Sequence, residues 1–315
     1  MRVYKGTEDT TLSAKPVVAT IGNFDGVHRG HQELICQVVR RAKELRMESM
    51  VITFRPHPTT VLRGGSESFL INTYEEKIAL LKGLGVDSIV EVVFNRDFSE
   101  TDPRDFVWNI LQHALKVQVL YLGYDFAFGR ARAGTVEVMQ ELAKEIGIET
   151  HVVQAQILEG QTISSSLIRK GLDSGDISLV NQALGRAYSL TGIVIKGEGR
   201  GRLLNIPTVN LRLADRKIPR LGVYATKVLW RGKSFLSVTN IGVNPTFRND
   251  SDEMPLKIES HILDFSGDLY GAELGIEFYH FLRGEEKFPS VDALKNQIAQ
   301  DITIARRYFE KLERS

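Results

Sequence analysis

Between residues 16 and 182, short apolar runs alternate with amphipathic stretches, the rhythm of strand–helix units laid on a parallel sheet. The apolar runs predict buried strands over residues 16–22, 50–54, 87–94, 117–123 and 150–158. Directly after the first, His31, Leu34, Ile35, Val38, Ala42 and Leu45 recur at spacings of three and four, so a helix follows and buries one stripe. The same periodicity predicts helices over residues 73–84, 103–115 and 134–146. Pro56-His57-Pro58 stops helix formation and predicts an extended loop just past a strand end. Ligands of open α/β sheets collect at such carboxyl ends.

Two short helical segments follow, 164–173 and 177–184, and then the rhythm changes. This predicts a boundary at residues 185–188 and domains of 1–186 and 187–315. Runs rich in Val, Ile, Thr and Phe predict strands over 189–196, 207–213, 223–229, 234–243, 256–263 and 274–282, with 230–233 as a hairpin loop. Strands at this density predict a small antiparallel barrel, closed or nearly so. Ser290 caps a long last helix whose buried stripe is Leu294, Ile298, Ile302, Ala305, Phe309 and Leu312. The expected fold class is α/β followed by β: a parallel-sheet domain, then a six-stranded barrel with a terminal helix.

Composition adds bounds. A chain of 315 residues with 43% apolar content can give each of two domains its own core. Lys and Arg total 40 against 39 Asp and Glu, a net charge of +1, so no bulk field favours nucleic acid or an anionic membrane. Any polyanion must be gripped locally. The one cysteine, Cys36, sits among Leu34, Ile35, Val38 and Val39 and reads as a packed helix-face thiol in a reducing compartment. No stretch reaches the ~18 apolar residues of a membrane span. Residues 1–16 lack the apolar core of a secretion signal, which predicts a cytoplasmic protein.

The first candidate site is Gly22-Asn23-Phe24-Asp25-Gly26-Val27-His28-Arg29-Gly30-His31, at a strand-to-helix junction. Free N–H groups and the positive dipole end there attract phosphate, and glycines permit close backbone approach. Histidines donating hydrogen bonds would stabilise the charge that develops on an α-phosphate during nucleotidyl transfer. The alternatives are one capping and one core histidine, or metal ligation by the pair, for which no carboxylate–cysteine set lies nearby. A second hydroxyl-rich helix start, Ile163-Ser164-Ser165-Ser166-Leu167-Ile168-Arg169, offers Ser164, Ser165 and Ser166 to phosphates, with the Arg169 fork one turn in.

The second candidate site opens at Lys196 with Gly197, Gly199, Arg200 and Gly201, whose backbone amides can wrap phosphates. It is no Walker A loop, since no Gly-Lys-Ser/Thr follows. Thr208 and Asn210, two apart on a predicted strand, present two oxygen ligands on one face, as Mg²⁺ bridging nucleotide phosphates requires. Phosphoryl transfer to an alcohol also needs a base. Glu259 lies in a predicted strand on the face opposite Ile258 and Ile262, with His261 on its own face as the rival.

These segments resemble a known family. Residues 22–31 are similar to the HxGH-type signature of adenylyltransferases on the Rossmann-like nucleotidyltransferase fold, and residues 163–169 to their second nucleotide motif, with Ser166 where Thr is more usual. Phe54-Arg55-Pro56-His57-Pro58 and Gly123-Tyr124-Asp125-Phe126-Ala127-Phe128-Gly129 resemble segments of one branch, the bifunctional prokaryotic FAD synthetases, which join riboflavin kinase to FMN adenylyltransferase. The resemblance implies a flavin pocket at Pro56, His57, Pro58, Asp125, Phe126 and Phe128. The two phenylalanines would share a face for an isoalloxazine ring if extended, and each alone reads equally as core. Pro207-Thr208-Val209-Asn210 resembles the Pro-Thr-x-Asn signature of the kinase module, which implies Mg·ATP at Pro207, Thr208 and Asn210, Glu259 as base, and Arg283 near the flavin. Asn205-Ile206 stands where that family usually has Gly-Phe.

The similarity spans residues 16–307 and implies two consecutive reactions with ATP and Mg²⁺. Riboflavin becomes FMN in the barrel, and FMN becomes FAD in the N-terminal domain. The partners it implies are small molecules, with no nucleic acid and no membrane. A nucleotidyltransferase for another substrate and a flavin-binding regulatory protein are the alternatives. Thr208, Asn210 and Glu259 argue against an inert barrel, and His28, His31 and Arg169 against a relic.

Overall fold

In the computed structural model, which describes residues 1–7, 15–129, 133–197, 206–243 and 256–314, strands form where the apolar runs place them. In the unit Met1–Ser165 the chain runs β1 (Arg2–Lys5), β2 (Val17–Ile21), α1 (Arg29–Leu45), β3 (Glu48–Arg55), α2 (Pro58–Arg63), α3 (Tyr74–Gly83), β4 (Ser88–Val93), β5 (Val117–Gly123), α4 (Val136–Glu145) and β6 (Glu149–Val153). The sheet order is β1-β4-β3-β2-β5-β6, every pairing parallel. Successive residues of β2 face opposite layers: Val17, Ala19 and Ile21 join Phe54, Phe106 and Leu120, while Val18 joins Ile35, Val38 and Leu81. Helices cover both faces, as a parallel sheet demands.

Several local features differ from expectation. Pro56-His57-Pro58 does not stay extended: His57 (φ −63, ψ 137) caps α2, which starts at Pro58. Proline is accepted at a first helical position because its missing N–H has no intrahelical partner there. The predicted helix over 103–115 is a short α-turn, Pro103–Asp105, followed by a wider π-helical stretch, Phe106–Ala114. Cys36 is exposed rather than packed. The 100° turn per residue carries it off the stripe that Ile35 and Val38 form.

The unit Ser166–Ser315 begins inside α5 (Ser165–Ser174), continues through α6 (Ile177–Leu184) and closes a barrel. Its strands are β7 (Tyr188–Ile195), β8 (Val209–Leu213), β9 (Gly222–Trp230), β10 (Lys233–Val243), β11 (Leu256–Ile262) and β12 (Glu273–Arg283), ordered β7-β8-β11-β10-β9-β12 and all antiparallel. The units divide at Ser165, ahead of the change of rhythm at 185–188. Asn181 of α6 donates to the Phe278 carbonyl at 2.8 Å and accepts the Tyr188 N–H at 2.8 Å, which draws the short helices to the barrel.

The β9–β10 hairpin turns at Arg231 and Gly232, both at positive φ (49° and 75°), as a primed two-residue turn requires. The barrel interior holds a satisfied hydroxyl chain. Thr226 bonds Ser237 and Thr239 at 2.7 Å each, and Thr239 donates to Ser260 at 2.9 Å. The last helix, α7 (Val291–Glu313), lays Ala305 and Phe309 on the outer face over Val223, Ala225 and Val238. Leu312, expected in that stripe, is 42% exposed, and the buried member absent from the expected stripe is Asp301.

Candidate active sites

At the first site β2 ends in a turn held at positive φ by Phe24 (51°), Gly26 (84°) and Val27 (39°). A β-branched residue there is a strained conformation, of the kind that clusters at functional sites. His28 is the N-cap of α1: its Nδ1 accepts the His31 N–H at 3.3 Å. The two imidazoles stack with centroids 3.5 Å apart and planes 19° from parallel, and Phe24 meets His31 edge-on at 5.2 Å. A Cβ at Gly30 would lie 3.3 Å from the His28 ring, so the glycine permits that close approach. Burial first, then the charges of His28 and Lys77, hold the His31 pKa well below 6.5. His31 Nδ1 and Asn23 Oδ1 are shut from solvent and, among the described residues, bond to nothing. Such atoms are what a polar ligand would satisfy.

Ser165 of the second motif meets the first turn, its hydroxyl donating to the Asp25 carbonyl at 2.8 Å. The Asp25 carboxylate is a strut: it accepts the Ile71 N–H at 2.9 Å and the Asn72 N–H at 3.4 Å. Ser164 and Gly22 are half-buried, Ser166 is exposed, and Arg169 is half-buried one turn into α5.

The residues expected on the flavin side divide. His57 is buried as the α2 cap, its Nδ1 accepting the Thr59 N–H at 3.1 Å and its N–H donating to Tyr74 at 2.8 Å. Pro56 and Pro58 are half-buried and Asp125 is exposed. Phe128 is 6% exposed, its ring 4.2 Å from Phe106 and 6.4 Å from Phe54. It belongs to the core, and Phe126 is half-buried against the same core.

Sequence reasoning missed Lys77, buried on α3, whose ammonium donates to the Asn23 carbonyl at 3.3 Å and to Thr53 Oγ1 at 3.1 Å. A signal was there: Tyr74, Lys77 and Leu81, spaced by three and four, are the buried residues of α3.

At the second site register places Asn210 of β8 and Asn240 of β10 on either side of Glu259 of β11. Ile258, Ser260 and Ile262 are buried and point inward, so this row lies on the outer face. The Glu259 carboxylate pairs with Lys257 Nζ at 3.0 Å. His261, the rival base, has Nδ1 2.8 Å from the Pro207 carbonyl, so that nitrogen donates and holds the start of the Thr208–Asn210 segment. A Cβ at Gly197 would collide with the Asn210 amide. Glu285, also unanticipated, lies so close over Gly242 that a Cβ there would strike its carboxylate and come 3.3 Å from the Asn240 amide. Gly199, Arg200 and Gly201 lie outside the described residues.

Arg283 is held: Nε and Nη2 donate to Asp301 at 2.9–3.1 Å and Nη1 to the Gly284 carbonyl at 3.0 Å. Among the described residues no cluster of three or more His, Cys, Asp or Glu could cage a metal. The Thr208 hydroxyl and Asn210 carboxamide are hard, neutral oxygen donors, which fits an ion whose charge is met by nucleotide phosphates. No described helix is long and apolar enough to cross a membrane.

Fold and sites together define a transferase with two nucleotide-handling modules. Residues 10–167 match the FAD synthetase family and residues 184–309 the riboflavin kinase family. The bifunctional riboflavin kinase/FMN adenylyltransferase of Listeria monocytogenes serovar 1/2a is 39% identical over 94% of this chain and 93% of its own. That of Buchnera aphidicola subsp. Acyrthosiphon pisum is 34% identical over 98% of each. A solved protein from Streptococcus pneumoniae, described as a macrolide-efflux protein, is 28% identical over 96% of this chain and 98% of its own, with a TM-score of 0.87. The chain belongs to the bifunctional riboflavin kinase/FMN adenylyltransferase family.

Proposed function

We propose that the barrel phosphorylates riboflavin to FMN with ATP and that the N-terminal module then transfers AMP from a second ATP to FMN, giving FAD and pyrophosphate. A contrast in carboxylates carries this reading. The barrel has Glu259 flanked by Asn210 and Asn240, whereas the acid of the first site, Asp25, is engaged by backbone amides.

The ribityl hydroxyl is neutral and needs a base, so Glu259 takes its proton as the oxygen attacks the γ-phosphorus and ADP leaves. The FMN phosphate has its second pKa at about 6 and is already a nucleophile at neutral pH. The adenylyl step therefore uses no base. His28 and His31 donate to the α-phosphate as charge builds there, and Ser164, Ser165, Ser166 and Arg169 hold the departing pyrophosphate. Gly22, Asn23, Phe24 and Gly30 shape the nucleotide's approach. Magnesium bound with the nucleotide at Thr208 and Asn210 would neutralise phosphate charge.

The modules divide functionally at 186/187, just before the barrel's first strand at Tyr188. A net charge of +1 supports substrates that are small molecules rather than nucleic acid. The lone cysteine supports a cytoplasmic setting. Incubation with riboflavin, ATP and Mg²⁺, with flavins separated over time, should show FMN first and FAD after it. Absence of both would refute the reading.

A further inference from the structure

A buried charge, Lys77, lies beneath the Gly22–Asp25 turn and outside the residues assigned above. The Asn23 carbonyl accepts from two donors, Thr53 Oγ1 and Lys77 Nζ, each at 3.3 Å, and Lys77 also donates to Thr53 Oγ1 at 3.1 Å. This triangle joins the end of β3, the turn and α3. Lys77 and Thr53 are 5% and 0% exposed. The charged groups facing Lys77 are Asp25 from the turn, Arg55 and Glu91 from β3 and β4, and Glu67 from the segment before α3. The Tyr74 ring lies 5.2 Å from its ammonium. His31 is faced by His28 from the cap and by Lys77 from α3.

We infer that Lys77 is a positioning residue for adenylyl transfer, fixing the Asn23 turn through its carbonyl and setting a positive field beside His31. The inference rests on the N-terminal module catalysing that transfer. An anchored turn holds the Asn23 carboxamide and the His28–His31 pair in one geometry, so the donors meet the α-phosphate without reorganising. A cation near His31 disfavours imidazolium, keeping the ring a neutral donor. Burial lowers the Lys77 pKa to about 8, so an ammonium there is kept against its desolvation cost. Lysine is rarely buried without such a duty.

The test compares wild type, K77M, K77R and T53V as full chains, assaying FMN formation from riboflavin and FAD formation from supplied FMN across pH. K77M should lose roughly a hundredfold in FAD formation, the scale of a misplaced constellation, while its barrel still makes FMN. The acid limb of the remaining activity should move to higher pH, because His31 without the neighbouring cation protonates more readily. K77R, which keeps the charge, should restore the limb whatever its rate. T53V, which keeps shape and charge but removes one anchor, should lower the rate and leave the limb in place. Undiminished FAD formation in K77M overturns the inference. So does a slowed K77M whose limb stays at the wild-type pH, the result a merely structural lysine would give. If K77M fails to fold, wild-type FAD formation by T53V overturns it instead. A wild type that makes no FAD from FMN would refute the underlying reading, a distinct result.

Discussion

The rings of His28 and His31 lie face to face with centroids 3.5 Å apart, while His28 Nδ1 accepts the His31 N–H. An accepting Nδ1 puts the His28 proton on Nε2. Two imidazolium ions at this separation would repel strongly, and His31 is held neutral by burial and by its neighbours. The pair is suited to donate hydrogen bonds to a phosphate, and unsuited to act as two cations.

Replacing both rings, H28A with H31A, is expected to let FMN accumulate from riboflavin and ATP without FAD appearing. Each lost donor should slow adenylylation by about a hundredfold or more. Chromatography of the flavins checks it, and FAD at the wild-type rate would refute the assignment. H28A alone should also cost about 1 kcal/mol, because it uncaps α1.

His31 further ties stability to pH. Its folded pKa lies below the 6.5 of a free imidazole, so the unfolded chain takes up the proton first as pH falls. The contribution is whole above 6.5 and drains away as pH drops from there towards the folded value. Denaturant unfolding at about pH 7 and about pH 5 should show wild type losing more stability than H31N. Equal losses would sink this account.

Much of the architecture was legible because burial in this chain is periodic. The stripe from His31 to Leu45 predicts α1, and alternation in 256–263 separates Glu259 from Ile258 and Ile262. What escaped has physical reasons. Arg2–Lys5 buries only Tyr4 and so offers no apolar run, although it forms the sheet edge. Lys77 occupies a stripe position, but a rule that counts apolar residues passes over a lysine. Leu312 keeps the helical spacing and is exposed, since spacing reports which way a residue faces and not what lies opposite. Phe128 is core because Phe54 and Phe106 meet it from distant segments, which no local pattern carries. The outer-face row at Glu259 needed the barrel's register, with Asn240 arriving from a separate strand, β10.

For the kinase step, E259Q keeps the size of the side chain and removes its basicity. FMN formation should fall by roughly 10²–10⁴-fold, the range for a positioned base, while FAD formation from supplied FMN continues. Loss of both activities in a folded variant would contradict the division between modules.

Gly197 supplies a gentler test. Its missing side chain leaves room for the Asn210 amide, which a Cβ would strike. G197A should displace Asn210 and raise the KM for ATP in FMN formation, with adenylylation unchanged. Steady-state kinetics at varied ATP would show it, and an unaltered KM would mean that Asn210 does not hold the nucleotide.

The pair between β12 and α7 makes the last prediction. Arg283 and Asp301 side chains are 17% and 3% exposed, and three contacts of 2.9–3.1 Å join them, with Gln297 donating a further bond to Asp301 at 3.0 Å. Removing one partner strands a buried charge, so D301A should destabilise the barrel by about 3–5 kcal/mol. Removing both, R283M with D301L, deletes the Coulomb attraction and the desolvation cost together and should cost less than D301A alone. Urea titration of the three proteins checks the order. A double variant weaker than D301A would mean that Arg283 holds the barrel through contacts other than Asp301, such as its bond to the Gly284 carbonyl.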